Sequence, residues 1–246
     1  MKNKKTWHPT KFIETELGYS PNTNTKYVNR GSFLMVHILI KVYIPIIRAH
    51  TKGLLLDLGC GYVPLFDIYK PYIVDNICID WENSLHKNPY LDYEFNLNDP
   101  IPIESNKFDT ILCTDVLEHI FNPALLMSEI TRLLKPKGKL ILTIPFFYWL
   151  HEEPNDFFRY TKHSLENHCK MNRLNIISLE PYGGAWEIVM DIIAKNIAEH
   201  RILSKIHLKL CKLLLKGIFG KNIASYKSQK FPLGYYLIAQ KPGSFP

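Results

Sequence analysis

The stretch LLLDLGCG at residues 54–61 is an apolar run broken only by Asp57 and ending in Gly59, Cys60 and Gly61. A run of this length without strict alternation suits a strand buried on both faces of a parallel sheet. The two glycines permit a tight turn and let the backbone approach a ligand closely. Pro64 then suits the first turn of a following helix, whose unpaired N–H groups would face that ligand.

Working outward, residues 76–80 form a second apolar run ending in Asp80, and residues 92–97 a weaker third. FDTILC (108–113) and KLILTIP (139–145) are a fourth and fifth, and residues 174–179 and 234–240 read as the last two. Helical stretches lie between them. The clearest covers 123–135, with Asn122 as N-cap, Pro123 at its first position, and Leu126, Ile130, Leu133 and Leu134 on one face. Strands alternating with helices predict a doubly wound α/β sheet. Ligands in such sheets sit at the carboxyl ends of the strands.

Those ends carry the chemistry. Asp80 follows Asp57 by 23 residues, where nucleotide-binding α/β folds place an acid on the two ribose hydroxyls. Dinucleotide binders use G-x-G-x-x-G, but here Pro64 replaces the third glycine and removes an N–H. The acid before the glycines also favours a cationic group over a pyrophosphate. The residues thus point to a ligand with one ribose and an ammonium rather than to NAD.

LLLDLGCG (54–61), FDTILCTDVLEH (108–119) and RLLKPKGKLIL (132–142) together resemble the class I methyltransferases that use S-adenosylmethionine, most closely the type-11 group. The resemblance implies a Rossmann-like, mostly parallel seven-stranded sheet with the last strand antiparallel. It also implies cofactor roles. Asp57, Gly59, Cys60 and Gly61 would hold the amino-acid part, Asp80 the ribose, and Asn96 and Leu97 would lie by the adenine. Thr114 and Asp115 would line the floor near the methionine moiety. Val63 stands where the family often has glycine, and Asn96 where it often has an acid. The Gly-Cys-Gly-x-x-Pro variant, and the HEEPNDFFRYT stretch (151–161), are similar to relatives encoded near cell-surface polysaccharide genes.

For the acceptor, the aromatic run 146–150 and the loop after it offer His151 as a general base, with Asp156, Arg159 and Tyr160 orienting substrate. An Asp156–Arg159 pair that only pins the loop is the competing reading, and Phe157 and Phe158 read as core. His119 is a second candidate base. No metal site is expected. A small-molecule or glycan acceptor, lipid-linked or free and methylated at oxygen, follows as the expectation. A non-catalytic, membrane-attached scaffold is the alternative.

The composition sets limits. With 46% hydrophobic and 22% charged residues over 246 positions, the chain has a globular mix. Nine of its lysines and arginines, against three acids, lie in residues 185–230, so most of the +7 charge is local. A nucleic-acid groove across a nearly neutral body is not indicated. Five cysteines without a CxxC pair speak for a reducing, cytoplasmic home. The apolar run 33–47 holds His37, Lys41 and Pro45 and reads as too short for a membrane span.

Four segments result: a helical N-terminal cap (1–52), the cofactor-binding core (53–184), a basic helical insert (185–230), and a final strand with tail (231–246). On a helical wheel Arg201, Lys205, Lys209, Lys212 and Lys216 fall within roughly 80°, with leucines and isoleucines around the rest. That pattern fits either a lid over the strand ends or a helix at the inner membrane face.

Overall fold

In a computed structural model, residues 1–81, 88–216 and 228–243 are described. Residues 217–227 of the basic insert, and the side chains of Lys212 and Lys216, lie outside that description. In chain order the elements are β1 (Phe12–Thr15), β2 (Gly18–Pro21), α1 (Phe33–His50), β3 (Gly53–Leu58), α2 (Phe66–Tyr69), β4 (Ile73–Asp80) and β5 (Tyr93–Glu94). They continue with β6 (Phe108–Thr114), α3 (Pro123–Leu133), β7 (Leu134–Pro145), α4 (Lys162–Met171), β8 (Asn175–Tyr182), α5 (Ala185–Asn196), α6 (Arg201–Lys216) and β9 (Gly234–Gln240).

Seven strands form one sheet in the order β5-β4-β3-β6-β7-β9-β8. β3 pairs in parallel with β4 and β6, and β6 with β7. β9 runs antiparallel to both of its neighbours. Past its end, Lys241 exchanges N–H···O bonds with Lys137 and Gly138 near the start of β7, and before its start Leu233 N–H donates to Tyr182 O at the end of β8. The order steps outward from β3 in both directions, so the carboxyl ends of β3 and β6 lie side by side at the switch point, where such sheets bind ligands.

Sequence explains the centre of this sheet directly. Leu55, Leu56, Leu58, Ile111, Leu112, Leu140, Ile141 and Leu142 are fully buried, as continuous apolar runs require in a sheet covered on both faces. Beside it, α3 begins as expected: Pro123 is its first residue and the Asn122 side chain accepts from Leu125 N–H at 3.3 Å. Arg132 on its last turn forks onto Glu129 and donates to the carbonyls of Ile101 and Ile103, which ties the segment before β6 to the helix. Lys241 Nζ covers the carbonyls of Thr131 and Leu134, a favourable place for a cation at a helix C-terminus.

The chain divides into two units. The first holds Met1–His8, Pro45–Glu180 and Tyr235–Pro246. Its first eight residues pack on the core: Tyr90 Oη donates to Thr6 O (3.1 Å), and Asn3 Nδ2 to Pro89 O (2.7 Å). The second unit holds Pro9–Ile44 and Pro181–Gly234, the two flanking segments together. Within it, β1 and β2 form a hairpin that the helical reading of residues 1–52 did not foresee. Phe12 of that hairpin meets Tyr43 edge-on, and His207 Nε2–H on α6 donates to Met190 O on α5 at 2.9 Å.

Three further expectations change. The helix after Gly61 is a single turn, α2, with a 3₁₀ turn behind it. The third strand shrinks to the two residues of β5, because Asp92 and Asn96 spend their side chains on backbone N–H groups beside it. The apolar run at 33–47 extends, with its leading 3₁₀ turn, to a 21-residue helix over Arg30–His50. By length and composition alone that helix could cross a membrane, yet 56% of its most apolar window is buried inside the protein.

Truncating Leu126, fully buried on the inner face of α3, to Ala is expected to cost about 2–5 kcal/mol of stability. Asn122→Ala is expected to cost about 1 kcal/mol through the lost cap. Urea denaturation monitored by circular dichroism measures both, and Leu213→Ala, 71% exposed on α6, serves as the neutral control.

Candidate active site

The turn after β3 is pinned to the neighbouring strand. Gly59 and Cys60 N–H both donate to Ile79 O, at 2.8 and 3.2 Å. Gly59 and Gly61 have φ of +64° and +49°, the left-handed region open to glycine. A β-carbon at Gly59 would lie 2.4 Å from Val116 Cγ2, so β3 and the chain after β6 touch through this glycine. A β-carbon at Gly61 would meet nothing within 4 Å; the turn faces open space there.

Asp80 stands at the rim of that space. One carboxylate oxygen accepts from Gly61 N–H and the other from Trp81 N–H, each at 2.8 Å. The Asn88 amide donates to Gly61 O from the other side. Val63 is held at φ +52° although β-branched, a strained conformation outside glycine. Its side chain is fully buried, and Trp7 both donates from Nε1 to Val63 O (3.2 Å) and sets its ring edge-on to Phe66. Trp7, Asn88 and Tyr69 were not foreseen; a lone tryptophan in a polar leader and an Asn before β5 carry no sequence signal for a site.

Asp57 lies beneath the turn rather than on its surface. It is 3% exposed and accepts from Tyr69 Oη at 3.2 Å. Burial pushes its carboxyl up to about 7; the Tyr69 bond pulls the other way and the Asp80 charge adds to the rise. Cys60, also buried, has its thiol pushed well up by burial and by Cys78, so it packs rather than reacts. Asn96 is exposed and its side-chain oxygen accepts from Asn98 N–H at 3.0 Å, while Leu97 is buried.

The second cluster gathers at the ends of β6 and β7. Thr114 closes β6, and Asp115 follows at φ +54°. Asp115 N–H donates to Thr143 O (2.9 Å), and Thr143 Oγ1 returns a bond to Asp115 Oδ1 (3.2 Å). Leu117–His119 then form a 3₁₀ turn. Glu118 in that turn is fully buried, and neither of its carboxylate oxygens makes a hydrogen bond. Burial first, then the Asp115 charge, drives its carboxyl far above the usual range, against a small pull from its own N–H and from Arg159. Sequence shows an acid here beside His119, but not that it is buried and unpaired.

His119 and His151 meet edge to face, with ring centroids 4.7 Å apart. His119 Nδ1 bonds Asn155 O at 2.7 Å, and its Nε2 lies 3.7 Å from Glu118 Oε1. His151 Nδ1 lies 3.2 Å from Trp149 O and 3.3 Å from Asp156 Oδ2. Burial, then the neighbouring His119, lowers the His151 pKa below its ordinary value, so its ring is neutral at neutral pH.

Asp156 and Arg159 form the loop pin that was the competing reading. The guanidinium forks onto the carboxylate at 2.5 and 2.8 Å and also reaches Trp149 O at 3.1 Å. Asp156 further accepts from His151 N–H at 3.0 Å. Tyr160, expected to orient substrate, is instead buried and donates to Leu117 O at 3.3 Å, so it braces the Glu118 turn. Phe157 and Phe158, expected in the core, are 40% and 39% exposed, because Glu118 O takes their N–H groups and turns the segment outward.

With this geometry in place, comparison with known proteins gives the class. Residues 43–180, more than half of the chain, match the family described as "Methyltransferase domain", and the chain belongs to it. Over 99 residues it is 34% identical to an uncharacterized protein of Methanocaldococcus jannaschii, covering 37% of this chain and 40% of that one. Over 115 residues it is 30% identical to the human thiol S-methyltransferase TMT1B, covering 42% and 44%. These matches span under half the length of either relative.

The fold is shared more widely. A SAM-dependent methyltransferase of Archaeoglobus fulgidus superposes with TM-score 0.55 at 14% identity, over 82% of this chain and 91% of that one. Phosphoethanolamine N-methyltransferase 2 of Haemonchus contortus, in complex with S-adenosyl-L-methionine, gives 0.56 at 18% identity, over 89% and 58%. The residues fit such a cofactor: the open space at Gly61 and the oriented Asp80 carboxylate would take its amino-acid and ribose parts. Bound there, it supplies a methyl group on a positively charged sulfur.

The Asp156 carboxyl is held down at about 2, chiefly by the Arg159 hydrogen bonds working against burial. A carboxyl depressed in the fold stabilises it above the unfolded value near 4, and that stability fades as pH falls toward 2. Arg159→Ala is expected to destabilise the protein by about 2 kcal/mol at pH 7. Urea denaturation at pH 7 and pH 3 should show the difference from wild type shrinking at the lower pH.

Proposed function

We propose that the protein methylates an oxygen of a small-molecule or glycan acceptor bound over His119 and His151. The observation that carries this reading is the pair of imidazoles, each with Nδ1 against an oxygen, which leaves Nε2 as the basic nitrogen at the strand ends. A neutral imidazole beside a hydroxyl is suited to accept its proton, a contribution of about 10²–10⁴ in rate. Thiol and amine acceptors, named for the human and Haemonchus proteins, are the competing chemistries. The exposed Phe147, Trp149, Phe157 and Phe158 supply flat apolar surface of the kind that stacks on sugar rings.

A membrane-proximal, lipid-linked acceptor is part of the proposal. On α6, Ile202, Ile206 and Leu213 are 74%, 60% and 71% exposed beside exposed Arg201, Lys205 and Lys209. Apolar and cationic groups together on one helix favour an anionic lipid surface, which would place the protein on the cytoplasmic face. The family membership favours this enzymatic reading over a scaffold that only attaches there.

Calorimetry with S-adenosylmethionine and S-adenosylhomocysteine tests the cofactor pole. Wild type should bind both, and Asp80→Ala should lose roughly 1.5–3 kcal/mol of affinity, about 10- to 150-fold. Turnover is then read as S-adenosylhomocysteine released with hydroxyl, thiol and amine acceptors; release only with thiols would refute oxygen methylation. Sedimentation with vesicles containing anionic lipid should carry wild type down and leave an Ile206→Ser, Leu213→Ser variant in solution. Equal recovery of the two would remove the membrane from the account.

A further inference from the structure

We propose that Glu118, His119 and His151 bind one divalent transition-metal ion at the acceptor end of the sheet. No metal was expected from the sequence, where the two histidines are 32 residues apart. The fold brings one donor atom from each of the three within 4.8 Å of the other two. Donors that share an ion at about 2.0–2.2 Å stand roughly 3–4 Å apart, so the widest pair needs to close by about 1–2 Å. The His119 Nε2 to Glu118 Oε1 separation of 3.7 Å is already of that kind, and it is too long for a hydrogen bond between them.

Two independent features point to an ion rather than to a packed polar cluster. The first is the Nδ1 arrangement. His119 Nδ1 is taken by Asn155 O and His151 Nδ1 by Trp149 O and Asp156. An oxygen acceptor on Nδ1 fixes the tautomer and leaves the Nε2 lone pair for a metal, the arrangement found around metal-bound histidines. The second is Glu118. It is fully buried with both oxygens lacking hydrogen bonds, a cost of several kcal/mol that native proteins rarely leave without a partner. Arg159, whose charge reaches Glu118, is committed to Asp156 and to carbonyls. Asp115 and Asp156 surround Glu118 with further negative charge.

Two imidazoles and one carboxylate select a zinc-, cobalt- or manganese-like ion over calcium or magnesium, which prefer all-oxygen shells. Three protein ligands leave at least one position open, the mark of a site that also binds a small molecule. An acceptor oxygen in that position would be bound as its more acidic, metal-coordinated form. With the imidazoles as ligands, the ion would make the acceptor hydroxyl more acidic, and its proton would leave to solvent rather than to His151. This consequence rests on the methyl-transfer reading; the binding of the ion does not.

Full-length protein stripped with a chelator is titrated with Co²⁺, read by visible absorption, and then with Zn²⁺ in competition. One saturable equivalent is expected, displaced by Zn²⁺, with His119→Ala, His151→Ala and Glu118→Gln each weakening it by at least about tenfold. Zn²⁺ should also raise the melting temperature of wild type but not of His151→Ala, which keeps the buried Glu118 in place and guards against misfolding of the Gln variant. Absence of saturable binding, or equal binding in wild type and all three variants through other histidines, would overturn the site. Calorimetry of S-adenosylhomocysteine on the same stripped protein separates the two questions: cofactor binding without metal binding removes only this inference.

Discussion

Two amides on one carbonyl organise this protein's working end. Gly59 and Cys60 both donate to Ile79 O, so the turn after β3 cannot leave the edge of β4. That clamp brings Gly61 N–H to the Asp80 carboxylate and presses Gly59 against Val116 in the chain after β6. The Gly61–Asp80 rim and the turn that carries Glu118 are thereby built from one contact network. The strain at Val63 is a consequence of the same tight path, offset by burial of its side chain and by the Trp7 bond to its carbonyl.

Carboxyl groups then divide the labour by environment. Asp80 sits at the rim and is oriented by two amides, a geometry suited to a diol. Asp57 is sealed below and shares a hydrogen bond with Tyr69, which supports the turn from inside. Asp156 is tied to Arg159 and shapes the loop that presents His151. Glu118 makes no hydrogen bond through either carboxylate oxygen, and it lies beside the two histidines. Beside hydrogen-bonded Asp57, Asp80, Asp115 and Asp156, a buried carboxylate without a hydrogen bond is informative.

The central sheet was legible because its strands are buried on both faces, and burial writes continuous apolar runs such as LLLDL and LILTI. The α3 start was legible because Asn-Pro is a local signal with a local cause. The β1–β2 hairpin was missed because its strands carry only four residues each, too few for a periodic pattern. In the site, the glycines and Asp80 were readable from spacing. The outward turn of Phe157 and Phe158 and the bracing of the Glu118 turn by Tyr160 were not, because each depends on hydrogen bonds between segments distant in sequence, whereas the Asp156–Arg159 pin, three residues apart, stood among the alternatives the sequence offered. A residue's type suggests what it can do, while its partners decide what it does.

The central claim is that one continuous network joins a cofactor pole at Gly59–Asp80 to an acceptor pole at Glu118–His151. A crystal structure of the complex with S-adenosylhomocysteine and Zn²⁺ tests it most directly. The account predicts the ribose hydroxyls on Asp80, the sulfur directed toward His119 and His151, and one metal peak between Glu118 and the two imidazoles. A cofactor whose sulfur faces away from those histidines would contradict the account.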